Sequence, residues 1–162
     1  MILKEAKAGD RTKALANAKS VVGALLAFKA DYGAYPCDAT RGELAKEGFT
    51  KNNRWSKNNL AEGTNGFAYI MAKNRAPLTD TKSYTPLILA GIVSKGAEPV
   101  FAPEIFGGKF VFGRVDGSSE AGDLDENGHA TSKGRKSFFQ TGPDSLFGKD
   151  TPVVKYPLFP KP

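Results

Sequence analysis

From Leu3 to Gly33 the sequence runs without a proline, and it then breaks abruptly in Asp31-Tyr32-Gly33-Ala34-Tyr35-Pro36. Apolar residues recur at Ala14, Ala18, Val21, Leu25, Phe28 and Tyr32, in alternating steps of four and three. That spacing holds them on one face of a helix and predicts a single helix from Leu3 to about Gly33. At about 1.5 Å per residue, Leu3 to Tyr32 would span about 45 Å. The mean helix of a compact domain has only about 11–12 residues. The first half, Leu3 to Lys13, is mostly polar and has little reason to fold alone. Either it projects from the domain or it continues an element that this sequence does not contain. The exit is specific. Gly33 stands where a left-handed residue ends a helix cheaply, and Pro36 cannot continue it.

A chain of 162 residues is the size of one domain. Apolar residues make up 40%, enough for a core, and 18 glycines with 11 phenylalanines favour a sheet with tight turns over a helical bundle. The longest apolar run in the helix, Val21 to Phe28, is far short of the roughly 20 residues that cross a bilayer. Met1 opens no signal-peptide pattern. The one cysteine, Cys37, has no intramolecular disulfide partner and reads as a partly buried structural thiol.

Past Pro36 the period changes. Arg41 to Lys46 reads as a helical turn or two with Thr40 as N-cap, and Gly48 to Gly66 as an irregular loop around Trp55. Phe67 to Met71 and Pro86 to Gly91 are short apolar runs read as strands. Gly107-Gly108 opens the clearest strand, Lys109 to Val115, which ends at the turn Asp116-Gly117-Ser118. A polar segment follows to Gly134, and Arg135 to Gln140 reads as the antiparallel partner of that strand. Thr151 to Pro162 reads as one edge strand and a tail. One helix followed by strands is an α+β order. The helix must bury its stripe, and an antiparallel sheet is the partner available. The expectation is one domain, 1–162, with its helix over about 3–33 and its sheet and loops over about 65–157.

The phrases Leu15-Ala16-Asn17-Ala18-Lys19, Ala24-Leu25, Phe28, Asp31-Tyr32-Gly33 and Tyr35-Pro36 together resemble the type IV pilin-like family, which includes the pseudopilins of type II secretion systems. Verrucomicrobial and planctomycete pilin-like proteins look closer still, with an asparagine-x-lysine in the helix and the same Tyr-Pro ending. Gly107-Gly108-Lys109-Phe110-Val111-Phe112 with Asp116-Gly117-Ser118 looks like the Gly-Gly…Asp-Gly-Ser hairpin of such proteins. Phe138 to Asp144 with Phe147-Gly148-Lys149-Asp150 is similar to their C-terminal Gly-Pro-Asp…Asp-Asp phrase, with one closing aspartate missing. The resemblance implies a long helix on an antiparallel sheet and a structural subunit of a type IV pilus or type II secretion pseudopilus. It implies a place in the cell envelope, anchored in the inner membrane facing the periplasm or assembled into a pilus at the cell surface. Partner subunits would pack through the helix.

Family members begin with a basic leader, a cleavage site and an apolar helical half, and this sequence shows none of them. The simplest expectation is a truncated form, with Leu3 to Lys13 as the middle of a longer native helix. The alternative is a natural soluble protein.

The candidate chemistry is sparse. Asp123-Leu124-Asp125-Glu126-Asn127-Gly128 matches the opening of a calcium loop, where alternating oxygens converge on one ion. The match fails at the twelfth position, Gly134. Major pseudopilins hold calcium in a C-terminal loop, and by that resemblance Asp116, Glu120 and Asp144 would complete a site with Asp123, Asp125 and Asn127. The other reading is a solvated acidic turn. Net charge is +6, which aids adhesion to anionic surfaces without specificity. Lys51, Arg54, Trp55 and Lys57 mix cations with an aromatic ring, a composition suited to polyanions including DNA, or simply to a solvated loop. An extracellular polyanion-binding module is therefore the alternative to a filament subunit. The lone His129 has no nucleophile motif beside it and no phosphate-binding fingerprint is present, so no enzymatic activity is expected.

Overall fold

The computed structural model describes residues 2–35, 67–94, 99–132 and 137–155. Helix α1 runs from Ile2 to Tyr32. Ala14, Ala18, Val21, Val22, Leu25 and Phe28 are buried, while Lys13 and Lys19 are exposed. The 4-3 spacing therefore marks the buried face correctly as far as Phe28. Tyr32, one turn further on, is 45% exposed and lies against Phe28 with ring centroids 4.4 Å apart. Gly33 takes φ +84°, and its N–H donates to Lys29 O at 2.8 Å. This is the left-handed stop that the sequence predicts. Tyr35 then tucks inward. Burial pushes its phenol pKa up, and Lys29 Nζ sits 4.6 Å from the centroid of its ring.

Among the described residues seven strands follow: β1 (Ala68–Met71), β2 (Pro86–Ala90), β3 (Ile92–Ser94), β4 (Val100–Phe101), β5 (Lys109–Arg114), β6 (Ser119–Asp123) and β7 (Val153–Lys155). Five of them form an antiparallel sheet in the order β6-β5-β2-β1-β7, and β3 pairs with β4. The described chain is thus α+β, with α1 lying across β6, β5 and β2.

One sequence expectation is corrected. The partner of β5 is β6, joined by the Asp116-Gly117-Ser118 turn, with Phe110 opposite Gly122 and Gly113 opposite Ser119. Of the expected strand Arg135 to Gln140, Arg135 and Lys136 lie outside the described residues, and Phe138 and Phe139 lie in a turn. The polar segment after Ser118 forms a strand because of what it must fit under. Ser119 and Ala121 are small enough to lie beneath α1, and the Ser119 hydroxyl donates to Leu15 O at 2.7 Å. On the other face, a Cβ at Gly122 would meet the Phe110 ring at 2.5 Å. Small residues make the fit, so the strand carries no apolar alternation to read.

The two faces of the sheet bury different things. A Cβ on Gly113 would lie 2.6 Å from Val22 Cγ2 and 3.0 Å from Ile88 Cγ1, so Gly113 and Ile88 face the helix. By strand alternation Phe110 and Phe112 face away. There Phe101 packs on Phe110 at 4.8 Å, and Phe138 lies edge-on to both Phe110 and Phe112 at 5.1 Å. This outer layer has a topological cause. The chain must pass from β6 at one edge to β7 at the other, four strand spacings or about 19 Å. It travels over the face that the helix leaves open, carrying Phe138, Leu146 and Phe147 into the core as it goes.

Candidate functional site

Opposite its buried face, α1 presents Ala16, Ser20, Gly23, Ala27 and Ala30 to solvent. Their spacing again alternates four and three, which at about 100° per residue confines them to an arc of about 80°. Lys13 and Asp31 border this stripe on one side and Lys19 on the other, each about 60° from its centre. Gly23 is the telling member. Among the described residues a Cβ there would meet nothing within 4 Å, so their packing gives no reason for a glycine. Mid-helix glycine costs roughly 0.5–1 kcal/mol relative to alanine. N-terminal to Arg11 the helix continues for about another 14 Å to Ile2, while Arg11 itself anchors to the domain by donating to Phe106 O at 3.2 Å. From Ala16 to Ala30 the exposed stripe is poor in side-chain bulk. In the sequence this stripe shows the same 4-3 spacing as the buried one, carried by small residues in place of apolar ones.

The acidic candidates each make contacts of their own. Asp123 Oδ1 pairs with Lys109 Nζ at 2.5 Å, directly across β5 and β6. Glu120 Oε2 pairs with Arg114 Nη2 at 2.7 Å. Asp116 accepts from the Ser118 hydroxyl at 2.5 Å and from its N–H at 2.9 Å; the hydroxyl first and then the amide hold its pKa below the ordinary carboxylate value. Asp125 organises the Leu124–Ala130 bridged turn. Its Oδ1 accepts from Asn127 N at 2.8 Å and His129 N at 2.9 Å. The His129 amide is the main cause of its lowered pKa, and His129 Nδ1 lies 3.8 Å from Oδ2. Asn127 contributes its backbone to this turn, and Asp144 is exposed on the separate segment before Ser145. Among the described residues, no three His, Cys, Asp or Glu side chains are grouped to hold a metal ion. Lys51, Arg54, Trp55 and Lys57, along with Cys37 and the expected turn at Arg41 to Lys46, lie outside the described residues.

Comparison with family models, with curated proteins and with solved structures gives no match for this chain. Among the described residues, no helix is long and apolar enough to cross a membrane.

Proposed function

We propose that the chain is the globular part of a helix-cored filament subunit of the type IV pilin-like kind, serving a pilus or a secretion pseudopilus in the cell envelope. The observation that carries this reading is the exposed small-residue face of α1, backed by a sheet that leaves that face clear. Small residues let two helix backbones approach closely, toward the lower end of the 8–10 Å range of helix packing. Charged residues at the borders of such a stripe keep an isolated domain soluble and fix the register of its neighbours. The role is mechanical: helices stack in the core, and the sheet with its phenylalanine layer forms the outer shell. Membrane attachment, in this reading, comes from apolar sequence continuing the helix beyond Ile2.

Bulk on the stripe separates folding from assembly. Gly23→Leu and Ala16→Leu should change domain stability by no more than roughly 0.5–1 kcal/mol, because both positions face open solvent. In cells producing the protein with its native upstream sequence, the same changes should abolish filaments seen by electron microscopy. Filaments that persist in both variants would overturn the reading, as would their absence from cells overproducing the unsubstituted protein.

A further inference from the structure

The C-terminal segment 141–155 crosses to the far edge of the sheet in turns rather than regular structure, and it ends as the three-residue strand β7. Two aspartates outside the 116–127 acidic group, Asp80 and Asp150, fasten it. Asp150 Oδ2 accepts from Thr79 N and Asp80 N, both at 2.9 Å, and its Oδ1 accepts from the Thr79 hydroxyl at 3.1 Å. In return, Asp80 Oδ2 accepts from Lys149 N at 2.7 Å. Each carboxylate thus caps the backbone of the loop that carries the other. Gly148 makes the approach feasible. It takes φ +61°, and a Cβ there would run into the Asp80 carboxylate. A third tie lies deeper, where the fully buried Thr85 hydroxyl donates to Leu146 O at 2.9 Å and accepts from Lys82 N at 2.9 Å.

We infer that this reciprocal Asp80–Asp150 clasp is the latch of a C-terminal strap, residues 141–155, that opens as a unit while α1, β2 and β5 stay folded. The strap is built for separate opening. Among the described residues its strand β7 pairs with β1, the hydrogen bonds of Asp80, Asp150 and Thr85 meet at the loop 79–85, and Leu146, Phe147 and Val154 pack it on the core. Segments with few regular backbone bonds open locally at lower free energy than the core. Opening frees the outer edge of β1 and uncovers the Phe138–Phe139 end of the aromatic layer, where Phe147 packs at 6.4 and 6.3 Å. The inference rests on the clasp geometry and is independent of the filament reading.

Hydrogen exchange with mass spectrometry on the whole chain tests it. Asp150→Ala removes all three acceptor contacts and should speed exchange of amides in 77–85 and 141–155 by about tenfold or more, the scale set by hydrogen bonds to a charged group. Exchange in α1 over 11–28 and in β5 should be unchanged. Gly148→Ala should reproduce the pattern with both carboxylates intact. Asp123→Ala, which removes a surface pair elsewhere, should not. Uniform acceleration across the chain, or an unaltered strap in both Asp150→Ala and Gly148→Ala, would overturn the inference. Should those variants fail to fold, the native chain in low urea decides. Strap amides must then follow an opening curve of their own below that of α1 and β5, and one common curve refutes the latch.

Discussion

Gly113 is the position where the helix–sheet contact tolerates no side chain, and substituting it measures that contact. Gly113→Ala places a methyl 2.6 Å from Val22 Cγ2 and 3.0 Å from Ile88 Cγ1. Both neighbours are fully buried, so neither can swing into solvent, and the backbone of α1 or β5 must shift. Overpacking of this kind costs about 1–3 kcal/mol. Alanine recovers roughly 0.5–1 kcal/mol of the conformational penalty of glycine in a strand. The net expectation is a loss of about 1–2 kcal/mol. Val22→Ala alone removes two buried methyl groups and leaves a cavity, for roughly 2–3 kcal/mol. In the double variant the new methyl occupies space that Val22 vacated. The combined loss should therefore fall short of the sum by about 1 kcal/mol or more, a coupling expected only between residues in contact. Urea melts at constant slope measure all three values. Gly122→Ala supplies the control, since its Cβ would strike Phe110 on the opposite face and its effect should add to that of Val22→Ala. Additivity within about 0.3 kcal/mol for Gly113 and Val22, or a Gly113→Ala variant as stable as the parent, would refute the packing.

Leu25→Ala, at a fully buried helix position, should cost about 2–5 kcal/mol, whereas exposed Lys19→Ala should stay within roughly 0.5 kcal/mol; equal effects in melts would put the wrong face of α1 inside. Asp80, Asp116 and Asp125 all have pKa values lowered from 3.8, chiefly by the Lys149 amide, the Ser118 hydroxyl and the His129 amide respectively. Their contribution is therefore complete above pH 3.8 and is lost as pH falls through the lowered values. The melting temperature should drop as pH is taken below 3.8, less steeply in Asp125→Asn, and a flat acid profile would contradict the hydrogen-bonding assigned to them. Calcium held by the 123–129 turn, as the resemblance implies, should raise the melting temperature where magnesium does so poorly, and Asp125→Ala should abolish the rise; a melting curve unchanged by millimolar calcium would leave a solvated acidic turn.

The helix and its end were legible because their causes are local. The 4-3 spacing from Ala14 to Phe28 and the left-handed Gly33 depend on residues within a turn or two of each other. The strands at Ala68–Met71, Pro86–Ala90 and Lys109–Arg114 were legible for a related reason: each carries enough apolar side chains to bury on its own account. Sequence spacing brings Asp123, Asp125 and Asn127 together along the chain. What each side chain touches is decided by the fold: Asp123 meets Lys109 across the strand pair, and Asp125 caps its own turn.

By itself, the sequence determined that a long one-faced helix would need a sheet, and where most of that sheet's central strands would lie. Tertiary structure decided which segment pairs with β5, and that choice is non-local. Ser119–Asp123 won because its small residues fit beneath α1 and around Phe110, a requirement set by neighbours distant in the chain. Phe138 and Phe139 were thereby released to cover the face that the helix leaves open. A short apolar run can serve as strand or as lid, and only the space left by the other elements selects between them.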